Sequence, residues 1–94
     1  SVSKYIAGIV TATRNHESVL LGASPRGSIA LYRMSRALAL YEGRDYVIPD
    51  DVKYLAPYVL AHRLILAHEA KLDKIPPESI LKEILDKVTV PLFQ

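Results

Sequence analysis

A chain of 94 residues, half of them apolar and 23% charged, with a formal net charge of +2, has room for one hydrophobic core and not for two. Such a domain buries about 60–65% of its unfolded surface and holds a stability of roughly 5–10 kcal/mol. The absence of cysteine removes disulfides, thiolate nucleophiles and Cys-based metal sites and fits a reducing, cytoplasmic setting; the uncharged runs fall short of the ~20 residues that cross a bilayer, so no membrane insertion is expected, and the slight positive excess lacks the concentrated basic stripe of a nucleic-acid binder.

The chain opens on SVSKYIAGIV, apolar-periodic sequence with no initiator methionine, no signal peptide and almost no lead-in, as in a piece of something longer. From Val2 to about His16 the positions Val2, Tyr5, Ile6, Ile9, Val10 and Thr13 follow i, i+3, i+4, i+7 spacing, with Lys4 and Arg14 on the other face, which predicts an amphipathic helix. Asn15, Gly22 and Pro25 then break the pattern. The loop between them is expected to tuck Val19, Leu20 and Leu21 inward.

A second helix is punctuated clearly: Ser24 at the N-cap, Pro25 at the first helical position and Gly43 just past the last turn, giving boundaries of about 25 and 42. Ile29, Ala30, Leu31, Met34, Ala37, Leu38 and Tyr41 cover a wide arc of it, so it is expected to be the central helix, packed on several sides. Pro49 opens a third helix with Asp50 and Asp51 in its first turn, where the helix dipole favours negative charge. Val52, Leu55, Ala56, Val59, Leu60 and Leu64 keep helical spacing, while Pro57 is expected to kink this helix or split it.

KLDKIPPES is the next break. A fourth helix runs from about 77 to 88 on the stripe Ile80, Leu81, Ile84, Leu85 and Val88, supported by the i, i+4 pairs Glu78–Lys82 and Glu83–Lys87. The tail VTVPLFQ alternates β-branched residues, and a short two-stranded pairing between it and RLILA is expected. The fold class is therefore all-α, a compact bundle of four main helices.

Arg26 is the residue most in need of a reason. A cation at a helix start is disfavoured by roughly 0.3–1 kcal/mol, whereas an anion is favoured there. Its guanidinium can grip two phosphate oxygens, and the small neighbours Gly22, Ala23 and Gly27 let another body come close. A phosphate contact and a merely solvated cation both remain open on this motif alone. Arg33 lies seven residues on, nearly on the same face, as a candidate interdomain contact or a solvated group, and Arg36 is rotated partly away.

Other chemistry is poorly supported. His16, His62 and His68 have no zinc spacing, and first-turn placement explains Asp50 and Asp51 without catalysis. The glycines at 8, 22, 27 and 43 form no phosphate loop, and no hydrolytic triad can be drawn. No catalytic group and no metal site are expected in the chain alone.

The stretch YIAGIVTATR, followed by LLGASPRGSIALYRMSRALALYEGRDYVIPDDVKYLAPYVLAHRL and ending near VTVP, resembles the C-terminal lid domain of MoxR-type AAA+ ATPases over nearly the whole chain. The resemblance implies that residues 1–94 are a helical lid without the nucleotide-binding α/β core on which it packs. ATP, as Mg-ATP, would be held mainly by that core, with neighbouring subunits completing a ring, commonly a hexamer. In that family the arginine of GASPR is the sensor 2 residue, matched here by Arg26, with Ser24, Pro25 and Gly27 supporting the helix N-terminus; reaching the γ-phosphate, it would make the lid angle report whether ATP or ADP is bound. Ile48, where a capping side chain is expected before Pro49, departs from the pattern in a way that concerns helix stability rather than ATP. The family is associated with chaperone-like assembly or activation of client proteins, methanol dehydrogenase among them by its name, often alongside von Willebrand factor A domain partners. A histone-fold-like DNA-binding or dimerisation module is the alternative, since a long helix followed by GRDYVIPDDV resembles that loop and third helix; Glu42, Asp45, Asp50 and Asp51 beside the arginines count against it.

Overall fold

The computed structural model describes residues 2–91. Five helices and a two-stranded sheet follow in the order α1 (Val2–Arg14), β1 (Val19–Leu21), α2 (Pro25–Tyr41), α3 (Pro49–Leu60), a 3-10 turn (Ala61–Arg63), β2 (Ile65–Leu66), α4 (His68–Leu72) and α5 (Pro77–Lys87). The all-α class holds, with the helical stripes read from the sequence forming most of the core.

α1 buries the expected Tyr5, Ile6, Ile9, Val10 and Thr13, and α5 buries Ile80, Leu81 and Ile84. The central helix is α3 rather than α2. Asp51, Val52, Leu55, Ala56, Val59 and Leu60 are all buried, because α3 packs against α1, α2 and α5 at once. α2 instead buries one narrow line, Gly27, Leu31, Ser35 and Ala39, and leaves Ile29, Met34, Leu40 and Tyr41 exposed. Its small buried residues let α3 come close, so one side of α2 suffices for the contact. Tyr5, Ile9, Leu31, Leu60 and Leu81 are the largest fully enclosed apolar side chains, each contributing about 1.5–3 kcal/mol by its removal from water.

Pro57 neither splits α3 nor ends it: the helix continues to Leu60 and tightens into the 3-10 turn. The carbonyl that proline deprives of its donor belongs to Lys53, an exposed residue, where water can replace the lost bond. α4 lies partly within the stretch read as a break and buries Ala70; Lys74, in left-handed conformation at φ 55°, then turns the chain toward α5.

The short pairing exists, but with a different partner. β2 comes from RLILA as expected, and it pairs antiparallel with Val19–Leu21, in the register Val19 to Leu66 and Leu21 to Ile65. The tail is engaged elsewhere. Val88 packs over Gly8 of α1, where a Cβ would sit 3.4 Å from its Cγ1; Thr89–Pro91 form no strand, and the remainder of the tail lies outside the described residues. The pairing turns only Val19 inward, leaving Leu20 and Leu21 exposed, since a two-residue partner strand covers too little to bury three consecutive side chains. Of the two i, i+4 pairs on α5, Glu83–Lys87 is formed at 3.0 Å, and among the described residues no ion pair joins Glu78 to Lys82.

Candidate functional site around Arg26

The segment GASPR is positioned from α1. Thr13, fully buried, donates its hydroxyl to the Val10 carbonyl at 2.6 Å and accepts the Ala23 N–H at 3.1 Å. One residue on, Arg14 donates Nε to the Ala23 carbonyl at 3.2 Å. Both main-chain polar groups of Ala23 are thus held by the last turn of α1, in a stretch with no regular backbone pairing of its own. Gly22 is required by the same approach: a Cβ there would lie 2.8 Å from both Cα and N of Arg14, closer than backbone atoms permit.

Ser24 takes the N-cap position with extended backbone, φ −84° and ψ 170°, and Pro25 opens the helix as read. The Ser24 hydroxyl makes no capping bond; its carbonyl accepts the N–H groups of Gly27 at 2.9 Å and Ser28 at 3.3 Å. Gly27 has a packing reason for being glycine. A Cβ would meet Leu60 Cδ2 at 3.2 Å and Arg63 Cδ at 3.3 Å, so the first turn of α2 lies directly on the end of α3 and the 3-10 turn.

Arg26 projects from this fixed segment. It is exposed, and among the described residues its side chain has no hydrogen-bond or ion-pair partner. Arg33 is likewise exposed and unpartnered among the described residues, whereas the Arg36 guanidinium lies 5.8 Å from the centre of the Tyr32 ring. Two arginines missed by the sequence reading run beside the segment: Arg14, and Arg63, whose Nε donates to the Val59 carbonyl at 3.1 Å. Both use Nε on a main-chain carbonyl, which orients the rest of the guanidinium. Neither carried a local signal, since Arg63 is brought to Gly27 only by the packing of α2 on α3.

The other candidates resolve into structure. Asp51 is 4% exposed and receives Arg44 Nη1 at 2.8 Å on Oδ2 and Nη2 at 2.7 Å on Oδ1. It also accepts the Ile48 N–H at 2.9 Å. The Arg44 hydrogen bonds hold the Asp51 carboxyl below the usual carboxylate range, against the opposing effect of burial, and the Ile48 N–H adds to them. With both oxygens engaged it is a staple between the α2–α3 loop and α3, not a general base. It also replaces the missing cap: Ile48 offers no side-chain acceptor, so the carboxylate three residues on reaches back to its N–H.

Arg44 further donates to the Tyr46 carbonyl at 3.1 Å, and Gly43 at φ +82° provides the left-handed turn that leads into it. On the opposite side His16 accepts the Ser18 N–H at 3.1 Å on Nδ1 and places Nε2 3.4 Å from Glu83. Lys87, and after it His16, lower the affinity of Glu83 for its proton. Among the described residues no three His, Cys, Asp or Glu side chains converge as metal ligands, and no helix is long and apolar enough to cross a membrane. A cleft of about 520 Å³ is lined by Val2, Tyr32, Arg36, Leu40, Asp45 and Tyr46, among others, and does not include Arg26.

Comparison with known proteins fits this arrangement. A family model described as the AAA lid domain matches residues 11–84. The chain is 54% identical to the uncharacterised protein YeaC of Bacillus subtilis over 98% of its own length and 29% of that protein. It is 43% identical to Chaperone MoxR1 of Mycobacterium tuberculosis over 93% of its length and 26% of that protein. The crystal structure of a protein described as a "putative ATPase" from Cytophaga hutchinsonii superposes with a TM-score of 0.91 at 38% identity, covering 97% of this chain and 30% of that one. The chain thus spans less than a third of the length of each of these relatives. With a family model matching residues 11–84 and relatives matching nearly the whole chain, the chain belongs to the AAA lid domain family, as the lid of a MoxR-type protein.

Proposed function

We propose that this lid senses the nucleotide of a MoxR-type AAA+ ATPase through Arg26. Residues 1–94 form the lid, and an α/β core outside them carries the phosphate loop, the magnesium ligands and most contacts to Mg-ATP. The carrying observation is the pairing of a free, exposed guanidinium with a rigidly anchored base: Arg26 has no partner among the described residues, and Ala23, three residues before it, is held on both main-chain groups by α1. A cation so presented at a helix start has its reach fixed by the whole domain, so its contact with the γ-phosphate links the lid angle to hydrolysis. Ser24, Pro25 and Gly27 set the direction of the helix that bears it.

The ring of neighbouring subunits, commonly a hexamer, the cytoplasmic setting and a chaperone-like role toward client proteins belong to the same proposal. One relative's name, Chaperone MoxR1, supports the last of these. Partners with von Willebrand factor A domains are carried by the family resemblance alone. In the full-length protein, Arg26→Ala should lower ATP turnover at saturating nucleotide by about 100- to 1,000-fold, the range for loss of one charge-stabilising donor, with the fold intact by circular dichroism. Unchanged turnover at saturating ATP removes the sensor role.

A further inference from the structure

Two more arginines lie across the segment that bears Arg26, each in a space that a glycine leaves. A Cβ at Gly22 would sit 2.7 Å from Arg14 Cγ, and one at Gly27 would sit 3.3 Å from Arg63 Cδ and 3.5 Å from Ala23 Cβ. Both side chains are tied at Nε, Arg14 to the Ala23 carbonyl at 3.2 Å and Arg63 to the Val59 carbonyl at 3.1 Å. Ordering a side chain as long as arginine costs rotamer entropy. Once Nε is held, the Nη1 and Nη2 donors of each guanidinium keep one direction, and they are the end of the fork that matches two oxygens of an anion.

The three cations are uncompensated. Among the described residues none of Arg14, Arg26 and Arg63 pairs with a carboxylate, and the Nη groups of Arg14 and Arg63 make no hydrogen bond. Elsewhere the chain neutralises its ordered cations, Arg44 with Asp51 and Lys87 with Glu83. Like charges gathered on one short segment repel, and an anion between them relieves the repulsion. We infer that Arg14 and Arg63 complete, with Arg26, a three-guanidinium grip on the phosphate chain of the nucleotide. The inference rests on the sensor reading of Arg26 for the identity of the anion.

A triphosphate carries its charges on adjacent groups, so guanidiniums placed around the few residues from Gly22 to Gly27 can reach it together. A protein surface would have to bring several carboxylates equally close, where each raises the pKa of the next and charge is lost. A nucleic-acid strand spaces its charges one per nucleotide along a length that this segment does not have.

Two substitutions at each position separate the grip from the main-chain anchor. Glutamine keeps an N–H donor where arginine has Nε and removes the charged end, while lysine keeps the charge and loses that donor. In the full-length protein, Arg14→Gln and Arg63→Gln should each weaken affinity for ATP, titrated with a fluorescent ATP analogue, by about 10- to 100-fold, the range for one hydrogen-bonded charge. Arg14→Lys and Arg63→Lys should lose less. Affinity within about threefold of the parent in the glutamine variants, or a greater loss in the lysine variants, overturns the grip and leaves both arginines as anchors of the main chain. Arg26→Ala turnover at saturating ATP, which does not depend on affinity, keeps the two readings apart. Slowed turnover beside glutamine variants of parental affinity removes the grip alone, and unchanged turnover beside weakened glutamine variants removes the sensor role alone.

Discussion

Replacing Asp51 by alanine tests the staple between the α2–α3 loop and α3. The substitution removes the two Arg44 bonds at 2.8 and 2.7 Å and the Ile48 bond at 2.9 Å, all on one carboxylate that is 4% exposed. Hydrogen bonds to charged groups contribute about 1.5–3 kcal/mol each when removed singly, but three on one group are not additive. The Arg44 side chain, 21% exposed, can take up water once released, which returns part of the loss. A net destabilisation of about 2–3 kcal/mol follows, or roughly 10–15 °C in Tm for a domain of this size. Asp51→Asn, which keeps an acceptor for Ile48, should lose about half as much. Arg44 holds the Asp51 carboxyl below its ordinary value, so its stabilisation is complete above that ordinary value and disappears as the pH falls through the lowered one. Urea unfolding of parent and Asp51→Asn should therefore differ most at neutral pH and converge in acid. A loss in Asp51→Ala within about 0.5 kcal/mol at neutral pH, or a difference that persists unchanged in acid, would refute the reasoning.

Gly22→Ala should destabilise the domain by about 1–3 kcal/mol, because the new methyl meets the Arg14 Cγ and also the Arg14 backbone, which cannot turn aside; a Tm equal to the parent's would show that the segment stands off α1. Gly27→Ala should be nearly neutral in thermal melts, since the gain in helix propensity of about 0.5–1 kcal/mol offsets a mild crowding of Leu60 and Arg63. Gly27→Leu should cost about 1–3 kcal/mol by prising α2 from the end of α3, and equal stability of the two variants would contradict the close packing.

Much of the fold is written in periodicity. The stripes of α1, α3 and α5 are legible because their apolar positions are also their buried ones, and Pro25, Pro49 and Pro77 mark starts that the chain observes. α2 misleads for a physical reason: its apolar arc is wider than the single line that meets α3, and periodicity reports which residues are apolar, not which are covered within 94 residues. The sheet partner was beyond reach as well, because the wholly β-branched VTV has the higher strand propensity of the two candidates, whereas the pairing that forms, flanked by the Ala67 N–H donating to the Ser18 carbonyl at 2.9 Å, is set by how the elements pack. At the site, Arg26 was visible through its conflict with the helix dipole. Thr13, Arg14 and Arg63 were not, for they act through contacts between elements that no local pattern encodes. Asp51 was read correctly as a first-turn carboxylate, yet its second bond, to Arg44, crosses a loop whose shape the sequence does not declare.

The hold on Ala23 gives the domain a mechanical property. Its N–H and C=O are bound by consecutive residues of α1, so the two helices share a rivet three residues from Arg26. A pull on that guanidinium has little slack chain to straighten before it loads α1, and through α1 it reaches α3 and α5, which pack on it. If Arg26 meets a phosphate as proposed, a lid built this way would turn as a plate about its connection to the rest of the protein and would transmit a displacement at that phosphate across its width instead of absorbing it in a yielding loop.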